Sequence, residues 1–181
     1  ACCARPVRDV RSALVSGPDV AVIAEVKKAS PSVGPIAPDC DASKQALHYQ
    51  YGGASAISVL TEPESFGGSW SDLSDTADAV DLPVLCKDFV VAPEQLFAAR
   101  GHGADAVLLM VSVLGARTAE FADFASTLGL QSLVEVISEA ELDIALAAGA
   151  SAVLVGETLM RAAFPEDELG ELTGVARRRM T

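Results

Sequence analysis

Four ionisable residues stand at the ends of apolar runs. Glu25 and Lys27 close VAVIAEVK, Lys87 closes PVLCK, and Glu135 lies near the end of SLVEV. Such runs form strands buried on both faces, where a carboxylate or an ammonium is costly unless something uses it. In parallel α/β folds, the carboxyl ends of the strands form the rim at which ligands bind. Glu25 and Lys27 are two residues apart, so an extended chain through both sends them to one side. Two lysines facing two carboxylates in a partly dry mouth perturb one another's proton affinity, as acid and base catalysis requires. A lysine there binds a substrate carboxylate or protonates an oxygen, and a glutamate takes a proton back. For any one of the four taken singly, a solvated salt bridge at the rim is the alternative.

Other residues suit binding rather than proton transfer. Ser30, in the polar loop Ser30-Pro31-Ser32, and the Gly156-Glu157 turn are candidates for holding phosphate, because backbone N–H groups at a helix start after the last strand suit an anion. A plain turn is the alternative for Gly156. Phe66 and Phe89 follow polar or charged strand ends and could wall an aromatic ligand, with loop packing as the alternative for each. His48 and His102 fall on or beside helices and read as structural, and Trp70 reads as packing a helix onto the sheet.

The elements that must position these groups alternate regularly. Strands are expected from Val20, then over 56–60, 83–86, 106–111, 132–136 and 152–155. Helices are expected over 42–51, 70–80, 93–100, 118–128, 139–148 and 166–179, after a lead-in with a short helix over 7–14 that Gly17-Pro18 ends. Six uninterrupted βα units imply a parallel sheet with right-handed crossovers. Gly53-Ala54-Ser55-Ala56-Ile57, Gly103-Ala104-Asp105-Ala106-Val107 and Gly149-Ala150-Ser151-Ala152-Val153 repeat one pattern between a helix end and a strand, two units apart each time, as in a barrel of paired units. No G-x-G-x-x-G follows the first strand, which disfavours a dinucleotide fold.

Composition agrees. Half of the 181 residues are hydrophobic, mostly Ala, Val and Leu rather than aromatics, and such a chain can bury a core. The net charge of −12, without a basic tract, argues against nucleic-acid and anionic-membrane partners. A local lysine cluster still leaves room for a small anionic ligand. No apolar run reaches membrane-spanning length and no secretory pattern opens the chain. Cys2, Cys3, Cys40 and Cys86 have no C-x-x-C spacing and read as reduced thiols of a cytoplasmic protein. The chain starts at Ala1 without a methionine, consistent with processing, trimming or a fragment.

IAEVKKASPS, GGASAISVLTEPESFGGS, LPVLCKDFVV, ARGHGADAVLLMVSVL, LVEVISEAELDIALAAGA and SAVLVGETLM, in this order from about Arg5 onward, resemble the indole-3-glycerol-phosphate synthase family of tryptophan biosynthesis. The resemblance implies a TIM (β/α)8-barrel. It implies a carboxy-lyase that closes the indole ring of 1-(2-carboxyphenylamino)-1-deoxyribulose 5-phosphate, losing carbon dioxide and water, with no metal and no cofactor. By position, Lys87 resembles the general acid at the substrate carbonyl, and Glu135 the acid/base group of the dehydration. Lys27 resembles the lysine that holds the substrate carboxylate and helps protonate, and Glu25 the glutamate that positions the reacting groups. Ser30 and Gly156 resemble phosphate ligands. Glu157 stands where the family often has serine, so only its backbone N–H is implied as a contact. Phe66 and Phe89 match aromatic positions around the anthranilate ring.

The chain also departs from the family. After the fifth strand and its helix, the sequence passes directly to what resembles strand eight. The strand-six asparagine and the strand-seven Glu-Ser-Gly are missing, with a join near 149–151 inside the repeat, and the family's N-terminal extension is shortened. One domain over 1–181, truncated to about six βα units, is expected. Six strands cannot close with the geometry of eight, so open sheet edges and association into a homo-oligomer are expected. A non-catalytic sugar-phosphate-binding or assembly relative, or an inactive fragment, is the alternative reading.

Overall fold

Short Val-, Ile- and Leu-rich segments become the strands of one sheet, and the alanine-rich segments between them become the helices that cover it. The computed structural model describes residues 5–15, 21–149 and 153–154. After α1 (Val10–Val15), the parallel strands are β1 (Ile23–Val26), β4 (Ala56–Leu60), β5 (Val84–Lys87), β6 (Ala106–Met110), β7 (Gln131–Glu135) and β8 (Val153–Leu154), hydrogen-bonded in that order. The antiparallel pair β2 (Ala29–Ser30) and β3 (Gly34–Pro35) lies apart from this sheet. The helices are α2 (Ala42–Tyr51), α3 (Pro63–Phe66), α4 (Trp70–Ala79), α5 (Pro93–Gly101), α6 (Val111–Leu114), α7 (Thr118–Thr127) and α8 (Glu139–Ala147). Among the described residues β1 and β8 are the two edges of the sheet.

Strand alternation divides the residues between core and site. Ile57, Val59, Val84, Cys86, Val107 and Leu109 pack into the helix layer, against residues such as Leu73, Leu96 and Phe121. The intervening positions look the other way. Leu60, Lys87, Leu108, Met110 and Glu135, together with Glu25, line one pocket at the carboxyl ends of the strands.

The first two copies of the Gly-Ala repeat are helix-to-strand turns. Gly53 and Gly103 have φ of 90° and 88°, a region that L side chains rarely adopt. The following amides close the helix ends, Ala54 N–H to Tyr49 C=O and Ala104 N–H to Ala99 C=O. The next residue then bonds to the neighbouring strand, Asp105 N–H to Val84 C=O for example.

Asp105 ties down the opposite end of the sheet. It is fully buried, and its carboxylate accepts from Arg5 Nη2 at 3.1 Å, from the Arg8 amide at 2.8 Å and from the Val84 amide at 2.8 Å. Burial lowers the Arg8 pKa, and the charge of Arg5 lowers it further. The lead-in segment is thus bound to the amino ends of β5 and β6.

Three local expectations are corrected. The first strand stops at Val26, so Lys27 lies just past it. Ser30-Pro31-Ser32 is part of a small hairpin rather than a plain polar loop, because Lys28 C=O accepts from the Ile36 and Ala37 amides and folds the chain back. The loop expected around Phe66 contains a helical turn, since the Glu62 carboxylate caps the amides of Glu64, Ser65 and Phe66. Strand residues 20, 152 and 155, residues 150–152 of the third repeat copy, the Gly17-Pro18 stop, Cys2, Cys3, the 166–179 helix and the Gly156-Glu157 turn lie outside the described residues.

Candidate active site

The pocket has a cavity volume of about 160 Å³ and is open at its mouth. Leu60, Leu108 and Met110 give it an apolar floor, and Phe66 and Phe89 form its wall, with ring centroids 6.2 Å apart and planes tilted by 46°. All four charged candidates line it.

Glu25 is the hub. Its Oε1 lies 2.7 Å from Lys27 Nζ and its Oε2 accepts from Lys87 Nζ at 3.0 Å. The strands explain this convergence: β1 and β5 flank β4, with Glu25 in register with Ser58 and Lys87 with Leu60. Half-burial would raise the Glu25 pKa, but the hydrogen bonds and charges of Lys27 and Lys87 outweigh it, so Glu25 stays below its ordinary range. Tyr49 donates to the Glu25 backbone carbonyl at 3.2 Å and fixes the strand end.

Glu135 faces the same pocket from β7, and its pKa moves the other way. Burial raises it, Lys87 partly offsets this, and the charges of Glu141 and Glu25 raise it further. One pocket therefore holds a carboxylate kept ionised and another biased toward the protonated form, the split that general acid and base work uses.

The remaining candidates separate. Phe66 and Phe89 join the pocket, whereas Ser30 is not among its lining residues, and its hydroxyl accepts from the Val33 amide at 3.3 Å within the hairpin. His102 bonds Ser74 at 2.8 Å and stacks on Trp70, away from the pocket lining. Burial pushes the Cys86 thiol up to about 12 and leaves it inert. Glu62, Asp88, Leu108 and Met110 are pocket residues that the sequence reading did not single out. The i, i+2 spacing of Leu108 and Met110 on a strand ending at the same rim was the available signal. Among the described residues no three His, Cys, Asp or Glu side chains converge as a metal site needs, and no helix is long and apolar enough to cross a membrane.

A family model described as indole-3-glycerol phosphate synthase matches residues 2–157. The chain belongs to that family. The indole-3-glycerol phosphate synthase of Mycobacterium ulcerans is 49% identical over 154 residues, covering 84% of this chain and 56% of that protein. That of Deinococcus radiodurans is 54% identical over 149 residues, covering 80% and 55%. The chain spans about half the length of the curated relatives it matches. Among solved structures, a mandelate oxidase variant with (S)-mandelic acid aligns at a TM-score of 0.61 and 20% identity, covering 84% of this chain and 56% of that one. The 2-keto-3-deoxy-6-phosphogluconate aldolase of Zymomonas mobilis with 3-phosphoglycerate aligns at 0.54 and 17% identity, covering 82% and 61%. These likenesses concern the fold alone. For this member of the indole-3-glycerol phosphate synthase family, that fold is α/β of the TIM-barrel type, with six parallel strands among the described residues.

Proposed function

We propose that the pocket carries out the ring closure of the indole-3-glycerol phosphate synthase reaction, on 1-(2-carboxyphenylamino)-1-deoxyribulose 5-phosphate, as a cytoplasmic carboxy-lyase of tryptophan biosynthesis. The observation that carries the reading is Glu25 bridging two lysines opposite a Glu135 whose pKa is raised. The substrate's aromatic ring packs against the wall that Phe66 and Phe89 form. Lys27 binds the ring carboxylate, and Glu25 holds both ammonium groups in place. As the ring carbon bonds to the ketone carbon, Lys87 delivers a proton to the carbonyl oxygen. The bond from ring to carboxylate then breaks and carbon dioxide leaves. Glu135 donates the proton with which the new hydroxyl departs as water, and its carboxylate then takes the proton from the adjacent carbon, which completes the indole.

In this reading Ser30 and the Gly156-Glu157 turn hold the phosphate, and no metal or cofactor takes part. Residues 1–181 form one domain that lacks the family's sixth and seventh strand segments near 149–151. The parallel pairing of β7 with β8, Val134 beside Val153, supports a direct continuation there. The edge strands β1 and β8, each paired on one side only among the described residues, favour a homo-oligomer.

The test is indole-glycerol phosphate formation, followed by fluorescence, with the carboxyphenylamino-deoxyribulose phosphate as substrate. Turnover lost in Lys87→Ala and slowed in Glu135→Gln, with substrate binding retained in the latter, supports the assignment. A folded chain that binds the substrate without turnover would instead identify a sugar-phosphate-binding relative.

A further inference from the structure

Thr61, immediately after β4, is 2% exposed, and it touches three consecutive residues of the neighbouring strand end. Its amide donates to Lys87 C=O at 3.1 Å and its hydroxyl oxygen lies 3.6 Å from Cys86 Sγ. The same hydroxyl donates to Asp88 Oδ2 at 2.6 Å, while Asp88 Oδ1 accepts from the Phe89 amide at 2.7 Å. Both oxygens of Asp88 are therefore engaged on the side of the turn. This matters because Asp88 lines the pocket beside Lys87. A carboxylate free at that position is a second acceptor for the Lys87 ammonium and competes with Glu25, 3.0 Å away.

We propose that Thr61 is a positioning residue that sequesters Asp88, so that Lys87 is presented to Glu25 and to the substrate rather than to its own sequence neighbour. The proposal rests on the reading of Lys87 as the proton donor. Its test needs no substrate. Thr61→Val removes the hydroxyl and keeps the volume, and Thr61→Ser keeps the hydroxyl. The readout is the rate of Lys87 acylation by acetic anhydride, followed by mass spectrometry at fixed pH, with Lys44 (side chain 76% exposed) as internal reference.

Thr61→Val frees Asp88 to pair with Lys87 and slows Lys87 acylation at least about threefold relative to Lys44, the scale of a modest added ion pair. Thr61→Ser keeps the wild-type rate. The double variant Thr61→Val/Asp88→Ala returns to it, because the competing carboxylate is gone, a rescue that a purely structural role for Thr61 does not produce. Should the valine variant fail to fold, Thr61→Ala, which adds no bulk, carries the same expectation. An unchanged rate in the valine or alanine variant overturns the proposal, and so does a double variant as slow as the single one. Turnover measured in parallel keeps the two readings apart: a wild-type chain without turnover refutes the activity, and the acylation rates still decide the role of Thr61.

Discussion

The Glu25–Lys87 pair offers a quantitative check on the site that does not depend on activity. At 3.0 Å, two unit charges attract by about 1.4 kcal/mol at the dielectric of water and by about 5–6 kcal/mol at an effective value near 20. The two side chains keep 26% and 32% of their exposure, so screening and the entropy of holding both bring the net term to about 1 kcal/mol. A double-mutant cycle of Glu25→Gln, Lys87→Met and the combination, measured by urea unfolding near pH 7, should give a coupling of about that size. The pH dependence follows from the lowered Glu25 pKa. A carboxylate with a depressed folded-state pKa contributes stability that is complete above its unfolded value, near 4.5, and is lost as pH falls through the folded one. The coupling should therefore hold at about pH 7 and fade below 4.5, and added salt should weaken it. A coupling below about 0.3 kcal/mol at neutral pH would refute the bridge, given the usual scatter of such cycles. So would a coupling that persists unchanged well below 4.5.

Four further outcomes are expected. Gly68→Ala places a Cβ 2.2 Å from the Leu60 carbonyl oxygen, so the end of β4 must shift, at a cost of about 2–3 kcal/mol. Gly101→Ala meets nothing within 4 Å and should be neutral or gain up to about 1 kcal/mol, as thermal melting of the pair will show. Asp105→Ala leaves the Val84 amide and two arginines without their shared acceptor and should cost about 3 kcal/mol in urea unfolding. Glu135→Gln should stabilise the chain near pH 7 by a few tenths to about 1 kcal/mol, discounted for a half-exposed group. Because the folded pKa of Glu135 is raised, the gain should appear as pH rises past its unfolded value and vanish in acid.

The strands and most helices were legible because burial writes a period into the chain. Helix 42–51 and strand 56–60 fall where expected, strands 84–87, 106–110 and 131–135 lie within one residue of the expected bounds at each end, and the first strand starts at Ile23 rather than at Val20. What escaped was short or distant. The hairpin of β2 and β3 has two residues per strand, and α3 and α6 have four each, too few to show a period. The bonds from Arg5 and Arg8 to Asp105 join positions about a hundred residues apart, which no local pattern encodes. The charged centre was legible for a different reason: Glu25, Lys27, Lys87 and Glu135 each contradict the apolar run that they close. Ser30 shared no such contradiction, and a polar residue after a strand reads equally as a ligand or as part of a turn.

The division of each strand between two faces also makes the chain separately rewritable. Leu108 and Met110 belong to the pocket, whereas Val107 and Leu109 belong to the helix layer. What the pocket accepts and whether the chain folds are thus written on alternate letters of the same five-residue word. A library that varies only the even-numbered positions of β6 changes what the floor of the pocket accepts while leaving the packing behind it untouched. A one-residue deletion in that strand would exchange the two alphabets at once.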